Sequence, residues 1–159
     1  MTEDQLFVRH VRQQEIMVKR LNRCSEISKK LIEKQVIVFD LKDLSYALDT
    51  TALNTFKRTL SVDEACYPER LKYLLMINTP FFFIAIWAMI KPWINQDTAS
   101  KIRMWTASEY EVKLKELIDE QHIPVEYGGS WKEFGWKYPE NLDLSEVYHD
   151  NNDWMAYCI

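Results

Sequence analysis

Glycine and cysteine are scarce in this 159-residue chain, with three of each. The glycines at 128, 129 and 135 form neither the GxxxxGKS/T loop nor the GxGxxG turn that cradles nucleotide phosphates. The cysteines are far apart and odd in number, which argues against a disulfide-rich secreted scaffold and leaves no zinc-binding CxxC pair. The sequence therefore indicates neither a nucleotide-phosphate loop nor a zinc centre.

Signatures of catalysis are missing as well. The chain has no GxSxG elbow and no HExxH pair, and its three histidines lack the spacing of metal ligands. Cys66 has no neighbouring base that would make its thiol a nucleophile. We therefore expect a binding protein rather than an enzyme, with no metal and with no cofactor other than a bound ligand.

A strong excess of one charge sign is also absent. The chain carries 24 acidic and 20 basic residues, a formal net charge of −4. This balance disfavours a nucleic-acid partner, because binding to a phosphate backbone requires a basic surface. The opening segment MTEDQLFVRH lacks the apolar core of a signal peptide, so we expect a cytoplasmic protein.

One feature that is present is an unbroken apolar run, Phe81 to Ile90. A helix over residues 80–94 would be roughly 22 Å long, whereas the hydrocarbon core of a bilayer is about 30 Å thick. The run is thus too short to cross a membrane. A helix that is apolar all round must be covered all round. One side can lie on a sheet, and the other requires a protein partner, a membrane surface or a ligand.

The ends of this helix are marked by the sequence. Thr79 is the predicted N-cap, and Pro80 suits the first helical position, where its missing N–H costs nothing. Pro92 is predicted to end or kink the helix.

Shorter patterns on either side predict an α/β fold. The segments 36–39 and 74–77 are apolar and typical of strands buried on both faces, whereas 101–106 alternates like a strand nearer an edge. Helical spacing occupies 4–33, 51–64 and 109–120, the last with Ser108 as a plausible cap. Helices and strands that alternate in this way indicate a largely parallel sheet flanked by helices.

Several blocks carry a specific resemblance. VIVFDLKDLS, YPERLKYLLMINTP, KPWINQDTASKI and IPVEYGG, in this order and at this spacing, resemble the second half of the CRAL-TRIO lipid-binding domain of phosphatidylinositol/phosphatidylcholine transfer proteins. The resemblance implies that residues 1–130 form the C-terminal part of such a domain. Residues 131–159 would then form an acidic aromatic tail.

In that family the apolar helix is the gate of a lipid pocket. The resemblance therefore implies a bound phospholipid, transient contact with a membrane surface and a peripheral location. The large side chains of the helix should show mixed exposure, and Trp87 and Trp93 suit the membrane interface. The implied gate and pocket residues are Phe81, Phe82, Phe83, Ile86, Trp87 and Ile90.

Two charged positions match the family's headgroup site. Glu69 and Lys101 correspond to the Glu and the Lys that bind the inositol phosphate headgroup. Each precedes a strand, so neighbouring parallel strands should bring them to one end of the sheet. The alternative is a local ion pair of Glu69 with Arg70 or Lys72.

The chain also departs from the family. Gln35 and Ile37 stand where phosphatidylcholine binders place Ser and Thr, so phosphatidylinositol is the favoured ligand. Asp43 replaces a usual Gly and suggests a different turn. The family's first strands have no counterpart here, so we expect strand 36–39 to lie partly open. We also expect the isolated chain to be marginally stable, to aggregate or to self-associate. The rival function is a scaffold that docks a protein partner or a membrane without carrying lipid.

Overall fold

The computed structural model describes residues 2–44 and 50–132 of the chain. Within these residues the backbone divides into two compact units, with the boundary between Ala107 and Ser108. The helices are α1 (Glu3–Ser28), α2 (Thr50–Cys66), α3 (Phe83–Ile90), α4 (Gln96–Ser100) and α5 (Tyr110–Leu117). The strands are β1 (Gln35–Asp40), β2 (Leu71–Ile77) and β3 (Ile102–Met104). Short 3₁₀ turns occupy Lys91–Trp93, Glu120–His122 and Val125–Tyr127.

The predicted α/β organisation is confirmed. The three strands form one sheet in the order β1-β2-β3, and both pairings are parallel. Helices connect the strands in the predicted order, with the short α4 as an addition before β3. The parallel arrangement matters for the site, because all three strands start at the same edge of the sheet.

One face of the sheet carries the apolar helix. Residues opposite each other in a parallel register share a face, and Met76 of β2 lies opposite both Phe39 of β1 and Met104 of β3. Phe83 of α3 packs with Met76 and Leu41 in the buried cluster on this face. Half-buried neighbours complete the cluster: Leu74, Ile86, Trp87, Ile102 and Met104.

The opposite face of β2 is buried more completely. Leu75 and Ile77, which point away from α3, are fully inaccessible to solvent. Helix α1 has a buried stripe at helical spacing that includes Met17, Leu21 and Cys24. It packs against α2. At this contact the Nε2 of His10 in α1 lies 2.7 Å from the Oδ1 of Asp63 in α2.

Strand β1 differs from the prediction of burial on both faces. Val36, Ile37 and Val38 are half-buried, and 53% of Phe39 is exposed. Within the described residues β1 pairs only with β2, so its other edge has no strand beside it. The expectation that this strand lies partly open is therefore confirmed.

Helix α3 begins later than predicted. The Thr79 hydroxyl donates back to the Met76 carbonyl at 3.1 Å, so it does not cap the helix. The Pro80 carbonyl accepts from the Phe83 amide at 2.9 Å, which makes a tight turn before the first α-helical residue, Phe83. The predicted end is correct, because α3 stops at Ile90 and passes into the 3₁₀ turn that contains Pro92.

The second unit starts with α5 and ends, in its described part, with the IPVEYGG block. Ser108 is not the cap of α5, since Glu109 takes that position and makes no side-chain cap bond. At Gly129 an added Cβ would lie 1.9 Å from the Ile123 carbonyl oxygen, so this tight turn excludes any larger residue. Of the predicted tail at 131–159, only 131 and 132 fall within the described residues.

Candidate functional site

Three charged side chains meet at the edge where the strands start. Lys34 precedes β1, Glu69 precedes β2 and Lys101 precedes β3. The Lys34 Nζ donates to the Glu69 Oε2 at 3.2 Å, and the Lys101 Nζ donates to the same oxygen at 3.3 Å. We refer to these three residues as the strand-start cluster.

The backbone places each member for a local reason. Glu69 has φ of 59°, a left-handed conformation that turns the chain between α2 and β2. Lys101 is the C-cap of α4. The N-cap of that helix is Asn95, whose side chain accepts from the Thr98 amide at 2.7 Å. The loop between α1 and Lys34 is tied to α1, because the Ile32 amide donates to the hydroxyl of Ser25 in that helix at 2.8 Å.

The geometry agrees with part of the sequence prediction and extends it. Glu69 and Lys101 come together as expected, and the salt bridges of Glu69 go to Lys34 and Lys101 rather than to its neighbour Arg70. Arg70 instead donates to the Glu33 carbonyl at 3.4 Å. Lys34 was not predicted. The signal was available, because Lys34 precedes a strand just as Lys101 does.

The cluster has a net positive charge and one unused acceptor. Two ammonium groups share one carboxylate, and both contact Oε2, which leaves Oε1 of Glu69 without a hydrogen bond to the described residues. The hydrogen bond from Lys34, followed by that from Lys101, holds the pKa of Glu69 below its usual range. Lys101 is the most enclosed member, with 21% of its side chain exposed against 47% for Lys34.

The residues of the apolar run 81–90, which contains α3, divide between the core and the surface, so the predicted mixed exposure is confirmed. Phe83 and Ile90 are buried, whereas Phe81 is 91% exposed and Ile84 is 58% exposed. The remaining gate and pocket positions are half-buried: Phe82, Ile86 and Trp87.

The two tryptophans expected at a membrane interface are partly engaged within the fold. Trp87 packs against the cluster around Phe83. Trp93 is half-buried, and the Lys57 Nζ lies 4.0 Å from the centre of its ring. The most exposed aromatic side chain near α3 is instead Phe81.

A concavity of about 460 Å³ opens beside the C-terminal end of α3. Its lining residues are Ala88, Lys91, Pro92, Ile94, Gln96 and Ala99. None of the described helices is long and apolar enough to cross a membrane. The described residues also contain no group of three His, Cys, Asp or Glu side chains that could hold a metal ion.

Comparison with known proteins places this architecture in a family. The CRAL/TRIO domain profile matches residues 1–129. The SEC14 cytosolic factor of Yarrowia lipolytica is 31% identical over 127 residues, which cover 80% of this chain and 24% of that protein. The phosphatidylinositol/phosphatidylcholine transfer protein SFH7 of Arabidopsis thaliana is 33% identical over 122 residues, which cover 76% and 22% respectively.

A solved structure supports the same fold. The crystal structure of Sfh5 matches with a TM-score of 0.57 and 24% identity, over 67% of this chain and 36% of that one. The chain therefore belongs to the CRAL-TRIO domain family, as its sequence blocks indicated. It spans about a quarter of the length of the two curated relatives described above.

Proposed function

We propose that this chain binds a phospholipid, most favourably phosphatidylinositol, and transfers it between membranes. Membership of the CRAL-TRIO family, with a relative named as a phosphatidylinositol/phosphatidylcholine transfer protein, supports the ligand class. The observation that carries the proposal is the strand-start cluster, which combines cationic donors with a free carboxylate oxygen.

The cluster has the chemistry that an inositol phosphate headgroup requires. The Lys101 ammonium donates charge-assisted hydrogen bonds to the lipid phosphodiester. The Oε1 of Glu69 accepts from a ring hydroxyl, since that oxygen has no bond within the described residues. Phosphatidylcholine is disfavoured, because Ile37 offers no hydroxyl to a choline phosphate.

Helix α3 and the sheet face beneath it supply the apolar surface. Ile86, Trp87 and Phe83 extend the packed cluster from the sheet. Phe81 points outward and is available to a bilayer during exchange. The lipid is carried unchanged, without a metal or a catalytic group. The proposed setting is the cytosol with transient membrane contact, a proposal supported by the name of the SEC14 cytosolic factor.

The first test is Lys101→Ala in a vesicle assay of phosphatidylinositol transfer. We expect a loss of phosphatidylinositol affinity of roughly 10- to 100-fold, because a hydrogen bond to a charged group is worth about 1.5–3 kcal/mol. The matched control is Lys113→Ala, which removes an exposed lysine from its ion pair with Glu116. Equal uptake by the wild type and Lys101→Ala would refute the headgroup assignment.

One observation favours a second function. The exposure of Phe81, Ile84 and Phe39 gives this unit apolar surface that a protein partner could cover. In that case the chain is a scaffold that carries no lipid. The two functions differ in whether phospholipid is bound to the purified chain.

A further inference from the structure

We propose that Lys34 makes the strand-start cluster selective for an anionic headgroup over a zwitterionic one. The inference rests on the proposed function, since it concerns the same headgroup site. It assigns a role to a residue that neither the family blocks nor the strand prediction singled out.

The two lysines share one oxygen of Glu69. Lys34 and Lys101 reach the Glu69 Oε2 at 3.2 and 3.3 Å, so each ammonium spends one donor on the carboxylate. An ammonium has three N–H donors, so both lysines keep two for other acceptors. The carboxylate therefore stays paired if one of the lysines turns toward a ligand.

The binding of a phosphodiester by Lys101 changes the surroundings of Glu69. Glu69 would then face a second negative group nearby, and like charges at this distance oppose each other. Lys34 prevents an unpaired carboxylate, because it stays bonded to Glu69. It acts as a positioning residue that keeps Glu69 paired and oriented while Lys101 binds the ligand.

Lys34 also determines the net charge of the strand-start cluster. With Lys34 the cluster carries two positive charges and one negative charge, a net charge of +1. A phosphatidylinositol headgroup carries one negative charge and neutralises it. A phosphatidylcholine headgroup has no net charge and would bring its own quaternary ammonium toward two lysines. Without Lys34 the cluster is neutral and this discrimination is lost.

The surroundings agree with this role. Lys34 is 47% exposed and Lys101 is 21% exposed, so Lys34 lies at the outer side of the cluster and Lys101 is the more enclosed. The guanidinium of Arg70 is directed to the Glu33 carbonyl rather than to Glu69. No other cation among the described residues forms a salt bridge with Glu69.

The test measures competition between the two lipids. The full chain is incubated with vesicles that contain equal amounts of phosphatidylinositol and phosphatidylcholine, and the lipids it extracts are quantified by mass spectrometry. We expect Lys34→Ala and Lys34→Gln to lower the ratio of phosphatidylinositol to phosphatidylcholine about tenfold. Lys34→Arg should restore the ratio, because it keeps the charge. Lys113→Ala should leave it unchanged.

The outcomes separate the inference from the proposed function. A wild-type ratio in both Lys34→Ala and Lys34→Gln, together with loss of phosphatidylinositol in Lys101→Ala, overturns the role of Lys34 alone. Equal loss of both lipids in the Lys34 variants also overturns it, since that result indicates a structural role. If the wild-type chain extracts neither lipid, the proposed function is wrong and the inference is wrong with it.

Discussion

Glu69 stands between two ammonium groups, and this position should be visible in its titration. Lys34→Ala removes one of its two ammonium partners, so we expect the pKa of Glu69 to rise toward its ordinary value of 4.5. Lys34→Arg should keep the pKa low. The measurement is an NMR titration of the side-chain carboxyl carbon. An identical pKa in the wild type and Lys34→Ala would show that the contact does not persist in solution.

The depressed pKa of Glu69 also determines how the stability of the fold changes with pH. Because the folded-state pKa of Glu69 is depressed, its ion pairs stabilise the fold above the ordinary carboxyl pKa. This contribution is lost as the pH falls through the depressed value. Glu69 is well exposed, so the effect on stability is small and solvent-screened.

Residue by residue, the sequence was informative where a motif existed and silent elsewhere. The family blocks identified Glu69 and Lys101 and led to the expectation that they meet. Lys34 belongs to no block. Its position before a strand was the one available signal, and the parallel register shows that this strand starts at the same edge as those of Glu69 and Lys101. The exposure of Phe81 and the burial of Phe83 were not predictable individually, because an all-apolar run has no polar residue to mark its outer face.

For the helices and strands, the apolar run 81–90 gives a matched pair of variants, with Phe83 in the first turn of α3 and Phe81 just before that helix. Phe83→Ala should destabilise the chain by about 3–5 kcal/mol, because it removes a buried ring from the cluster on Met76 and Leu41. Phe81→Ala should change the stability by less than about 0.5 kcal/mol, since its ring is 91% exposed. Denaturant unfolding measures both. Similar losses in the two variants would contradict this placement of α3.

The order of helices and strands was predictable, and their starts were less so. Apolar runs and helical spacing located the three strands and the long helices, because these patterns reflect burial directly. The predicted start of α3 was wrong. The Thr79 hydroxyl and the Pro80 carbonyl take part in a tight turn and do not begin the helix. Local cap residues such as Thr79 and Ser108 have several hydrogen-bonding choices, and the surrounding fold selects among them.

Considered as a whole, the chain exposes apolar side chains along its sheet edge and apolar helix. Phe39 and Phe81 together leave two large rings in water, and each buried ring of this size is worth about 1.5–3 kcal/mol. We expect the isolated chain to self-associate as its concentration rises. Light scattering measures this, and Phe39→Lys should reduce it by adding a charge to an edge strand. A monodisperse wild-type monomer with a sharp thermal transition would contradict the expectation.

Native mass spectrometry of the purified 159-residue chain tests lipid binding most directly. We expect a bound molecule that, after its release, has the mass of phosphatidylinositol. Lys101→Ala should carry less of it, and the matched control Lys113→Ala should carry as much as the wild type. A folded wild-type chain that carries no phospholipid, even after incubation with vesicles containing phosphatidylinositol, would contradict lipid binding and leave the scaffold as the better interpretation.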